Sequence, residues 1–160
     1  MKTENTFARM IMASFAAVLF ASVSVAAGEW NVNKDNIVLD GYDVVAYQNA
    51  DKPIKGSKDF SLKYDGVTFY FANKDNMEAF KSNPEKYAPA FNGFCAFGVA
   101  MHKAKVPTNP ATFKMYNGKL LLFFNDMYEG KKVNTKLMWN GDEAKLYTTA
   151  VKNWKELAKK

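Results

Sequence analysis

Two stretches rich in apolar residues, each folded back on itself at a two-residue turn, restrict this chain more than any other feature. Phe60, Leu62 and Tyr64 lead into Asp65-Gly66, and Val67, Phe69 and Phe71 lead away from it. Phe113 to Tyr116 and Lys119 to Phe124 are related in the same way by Asn117-Gly118. Asp-Gly and Asn-Gly between such runs specify type I′ turns, whose central residues both need positive φ, and the period-2 alternation of the first pair gives that hairpin one apolar face. That face needs cover, and the remaining sequence offers helices.

Asp43 is placed to cap a short helix carrying Val44, Val45 and Tyr47, and Asn73 to cap one running through Lys81 with Met77 and Phe80 inward. Asn83-Pro84 closes the second of these. From about Asp142, read as an N-cap, to Ala158, the residues Leu146, Ala150, Trp154 and Leu157 recur at helical spacing. Ile37-Val38-Leu39 reads as a short strand ending at Asp40-Gly41, Pro53 to Gly56 as a linker, and Gly130 to Asn134 as a polar connection. Phe91 to His102 is apolar nearly all round, a buried helix or one broken at Gly93 or Gly98. The expected fold class is therefore α+β, a small antiparallel sheet of two hairpins packed against helices on one face.

With 48% hydrophobic and 24% charged residues in 160, the chain is neither disordered nor a multi-span membrane protein. Residues 1–27 read as a cleaved signal peptide: Lys2 and Arg9 precede an uncharged run from Met10 that ends in the small residues Val25-Ala26-Ala27. Residues 28–160 then form one domain in the periplasm or outside the cell, with no stable membrane insertion after cleavage. The net charge of +6 comes from scattered lysines, which suits a solvated surface and argues against nucleic acid as partner.

There is one Cys, Cys95, and one His, His102, so the chain can form neither an internal disulfide nor a four-ligand zinc site of its own. Cys95, Met101 and His102 make the one concentrated set of soft donors, suited to copper above magnesium or calcium. On an unbroken helix Cys95 and His102 stand about 10.5 Å apart along the axis, whereas ligands of one ion need donor atoms within about 4 Å, so joint ligation requires a break, best placed at Gly98. The competing assignment makes Cys95 a small buried hydrophobe and Met101 core filler. Asp43 and Tyr47 are a second candidate set, able to face a ligand pocket from Gly41-Tyr42-Asp43-Val44-Val45-Ala46-Tyr47 or to serve as a plain cap and a core aromatic. No nucleophile elbow, phosphate loop or haem-attachment motif is present, and with one cysteine there is no resolving thiol for redox catalysis.

Phe60 to Ala72, followed by Phe80 and Asn83-Pro84-Glu85-Lys86-Tyr87, resembles the YHS domain, a hairpin-plus-helix module found with metal-handling and especially copper-handling proteins. The wider chain is similar to an exported branch of that family, through Gly41 to Tyr47, Gly93-Phe94-Cys95-Ala96-Phe97 and Asn117-Gly118-Lys119-Leu120. Metal-binding members place a Cys directly after the last aromatic of the hairpin, and Ala72-Asn73 stands there in this chain. Cys95 matches the cysteine of the exported branch, to which the resemblance assigns no role. The leading reading is a non-catalytic exported protein that binds copper, another soft metal or a small ligand near Cys95. The alternative is an envelope interaction or structural module that works on a protein partner without metal.

Overall fold

The computed structural model describes residues 28–159. The signal peptide expected over residues 1–27 lies outside them. Helix α1 (Val44–Ala50) precedes the hairpin of β1 (Ser57–Tyr64) and β2 (Val67–Phe71). Helices α2 (Lys74–Ser82) and α3 (Pro84–Tyr87) follow, then α4 (Ala96–His102). A second hairpin comprises β3 (Asn109–Tyr116) and β4 (Lys119–Phe123), a third β5 (Asn125–Tyr128) and β6 (Lys131–Asn134), and the described chain ends with α5 (Thr135–Trp139) and α6 (Glu143–Leu157).

The two expected turns take positive φ at both central residues: 48° and 80° at Asp65-Gly66, 48° and 72° at Asn117-Gly118. Each hairpin stays a separate two-stranded antiparallel ladder within the α+β fold. Ile37 and Val38 bridge to Thr68 and Val32 as isolated pairs, and Leu39–Gly41 is a 3-10 turn. The third hairpin corrects the reading of residues 130–134 as a plain connection; it turns at Glu129-Gly130, again with positive φ. Its strands are mostly exposed on both faces, so they lack the apolar alternation by which a strand is read.

Strand β4 organises the interior. Leu120 and Leu122 point into one core with Val44, Tyr47, Phe69, Phe71 and Phe80, while Leu121 and Phe123 point into another with Phe94, Val99, Trp139 and Ala150. All four β4 residues are fully buried. A strand covered on both faces reads as a continuous apolar run, as Leu120-Leu121-Leu122-Phe123 does. Helices thus lie on both sides of β4 instead of one. Asp142 makes no side-chain capping bond, contrary to expectation. Glu143 holds that corner together, accepting from the Trp139 indole at 3.0 Å and pairing with Lys114 at 2.5 Å.

Candidate functional site

The apolar segment before α4 breaks upstream of Gly98. Phe91 and Asn92 adopt left-handed φ of 55° and 50° within a 3-10 turn, after which Cys95 caps α4 and the helix runs through Gly98 to His102. Gly98 is required by close approach: a Cβ there would stand 2.8 Å from Val106 Cγ2. Lys103 turns the chain back in the left-handed region, and the Cys95 N–H donates to the Val106 carbonyl at 2.9 Å.

Cys95 is fully buried. Its sulfur accepts from the backbone N–H groups of Gly98 and Phe124, both at 3.4 Å. Thr135 Oγ1 lies 3.3 Å away. Because the Thr135 hydroxyl donates to the Phe124 carbonyl at 3.1 Å, its oxygen is left to accept from the thiol. A neutral thiol therefore has every bond it can make, and it ties the start of α4 to the β4–β5 junction and the start of α5.

Above this sulfur lies a hollow of about 380 Å³. Cys95 and Thr135, both buried, form its floor, and Phe97, Gly98, Val106, Phe124 and Val133 its walls. His102, Tyr128 and Met138 are exposed and form its mouth. Cys95 and His102 thus share one cavity from its two ends, in keeping with the two helical turns between them. Met101 lies on the surface, 57% exposed, and is not part of the lining; Met138 takes the thioether position that spacing alone assigned to it. Among the described residues no group of three His, Cys, Asp or Glu converges. With the thiol engaged as a neutral group as well, these residues do not fit a preformed metal centre.

Asp43 and Tyr47 belong to the other core and do not line this hollow. The fully buried Asp43 carboxylate accepts four hydrogen bonds: from Val45 N at 2.8 Å and Ala46 N at 3.2 Å as the cap of α1, and from Ala72 N at 2.8 Å and Asn76 Nδ2 at 2.6 Å. It therefore fastens α1 to the end of β2 and the first turn of α2. The Tyr47 hydroxyl donates to the Pro110 carbonyl at 2.8 Å. Burial, followed by the neighbouring Tyr42 and Asp43, holds its phenol well above the ordinary range. Neither residue presents a free polar group to a ligand.

Comparison with family models matches the YHS domain over residues 49–91. The chain contains a YHS domain. The match runs from the end of α1 through the first hairpin, α2 and α3 to Phe91. Asp43 lies just outside this YHS domain and reaches into it through Ala72 and Asn76. The hollow over Cys95 is built entirely from residues beyond it. None of the curated proteins compared with the chain matches it, and no solved structure does.

Thr135, Val106, Val133 and Met138 were not singled out from the sequence. The sequence signal for Thr135 is faint, a lone hydroxyl residue between Asn134 and Lys136. Gly98 carried the best clue, since a glycine inside an apolar helical run marks close packing against another segment.

Proposed function

We propose that the protein is an exported, non-catalytic binding protein that holds a small, largely apolar ligand in the hollow over Cys95. One observation carries this reading: a cavity of about 380 Å³, walled by apolar side chains, opens between exposed residues and ends on a floor whose polar atoms are already paired. Ligand pockets fall in the range of about 300–1,000 Å³ and are mostly apolar with few polar groups. The YHS domain supports a role in metal or small-ligand binding, and the signal-like residues 1–27 support export.

A soft-metal reading has one support of its own, that Cys95, His102 and Met138 line the same hollow and offer thiol, imidazole and thioether. Ligation would require the Cys95 proton to leave and the bond to Thr135 to be lost, so affinity would rise with pH. Titration of purified protein lacking residues 1–27 with Cu(I), Cu(II), Zn(II) and an apolar fluorescent probe separates the two readings. Saturable probe binding that Val133→Phe weakens is expected. Stoichiometric copper binding that Cys95→Ser abolishes, with no probe binding, would replace the first reading by the second. For export, mass spectrometry of fractionated cells should find a mature N-terminus at Gly28, and full-length protein retained in membranes would contradict it.

A further inference from the structure

The polar groups of the hollow are unevenly distributed, and this distribution restricts what can occupy it. At the floor, the Cys95 sulfur, the Thr135 hydroxyl, the Phe124 carbonyl and the Gly98 and Phe124 N–H groups are all paired with one another. A ligand atom lying there finds no free donor, so a carboxylate or other anionic acceptor would lose its hydration without replacement. The walls are apolar. The deep part of any ligand is therefore hydrocarbon or aromatic.

The mouth is different. Tyr128, 60% exposed, and Met138, 52% exposed, flank it with His102, whose ring meets the edge of Phe97 at 6.2 Å. Lys131 is the cross-strand partner of Tyr128, so the two side chains share a face of the third hairpin. Lys131 is exposed and has no ion-pair partner among the described residues, whereas Lys103 beside His102 is paired with Glu156. Of the acids on this hairpin, Asp126 is the cross-strand partner of Val133 but lines the neighbouring hollows and accepts from its own Met127 N–H, and Glu129 sits at the turn between Tyr128 and Lys131. Lys131, beside the mouth residue Tyr128, is the open cation of that hairpin face, and His102 adds a ring N–H.

We infer that the ligand is a single-chain anionic amphiphile, its apolar body against the Cys95 floor and its anionic head between His102 and Lys131. This inference rests on the hollow being the ligand site. Paired polar atoms below and an open cation above make the site complementary to an apolar tail with one negative end.

The test compares three ten-carbon probes below their micelle concentrations, decanoate, decanol and decyltrimethylammonium, by calorimetry and by displacement of an apolar dye from wild-type protein. Decanoate should bind with one molecule per chain and roughly tenfold more tightly than the cationic probe. Lys131→Glu, an exposed change, should abolish that preference while decanol binding stays the same. Equal binding of all three probes, unaffected by Lys131→Glu, would overturn the anionic head and leave the hollow as a ligand site. Failure of every probe and of the dye would overturn the hollow itself. Sedimentation with phosphatidylglycerol vesicles without decanoate binding would overturn the inference in favour of a membrane surface. The probe comparison is made on wild-type protein, so it stands even if a variant fails to fold.

Discussion

The Cys95 thiol and the Thr135 hydroxyl lie 3.3 Å apart across 40 residues of sequence, with the thiol as donor because the hydroxyl proton is committed to Phe124. Cysteine here completes a hydrogen-bond network, and the hollow inherits a floor without reactive or unpaired groups.

That arrangement predicts a native thiol indifferent to labelling reagents until the protein unfolds. Cys95→Ala removes one donor and one acceptor of two N–H bonds, and should lower stability by about 1–3 kcal/mol. Cys95→Ser restores a donor and an acceptor and should cost less. Denaturant unfolding of both variants checks the order, and a serine variant as damaged as the alanine one would contradict the network.

Asp43 should matter for stability and not for ligand binding. Asp43→Ala strands the N–H groups of Val45, Ala46 and Ala72 and the Asn76 amide, of which the first two are the start of α1. A loss of at least about 2 kcal/mol is expected from unpaired buried donors. Dye binding to whatever fraction remains folded should be unchanged. A stable variant that no longer binds the dye would place Asp43 in the site after all.

Tyr47 gives the fold an alkaline limit. Its folded-state pKa is raised by burial and by Tyr42 and Asp43, so above a pH of about 10 the unfolded chain releases a proton that the folded chain keeps. Its stabilising contribution is full below that pH and declines as pH rises through the range above it. Tyr47→Phe should lose about 1 kcal/mol at neutral pH through the bond to Pro110, and should show a flatter decline between pH ~10 and ~11. Parallel curves for the two proteins would remove Tyr47 as the cause.

Gly118 isolates backbone strain from packing, because a Cβ there would have nothing within 4 Å while φ is 72°. Gly118→Val should therefore cost on the order of 1–2 kcal/mol through conformation alone. An unchanged melting temperature would show that the turn can relax to another type.

Some of this protein could be read residue by residue. The I′ turns at Asp65-Gly66 and Asn117-Gly118 and the caps Asp43 and Asn73 follow from local rules. Dihedral preference, bonds reaching two or three residues along the chain, and side-chain period act within one short segment. The third hairpin escaped because Asn125–Tyr128 and Lys131–Asn134 bury too little to show a period, leaving Glu129-Gly130 as a turn signal without flanking pattern. For Asp142 the cap preference was overruled by Glu143, whose bonds to Trp139 and Lys114 secure the same corner.

The site belongs to the second kind of information. That Cys95 and His102 are single and that Gly98 stands between them is written in the chain itself; that two helical turns of an unbroken α4 separate them is not. Packing between distant segments brings Phe124, Val133, Thr135 and Met138 round them, turns Met101 to the surface, and sets Asp43 and Tyr47 against a different core. The reason is physical: a cavity is the space left between segments. Its walls are set by how β4, buried on both faces, holds two cores apart, and the period of a single helix or strand carries no record of what packs against it.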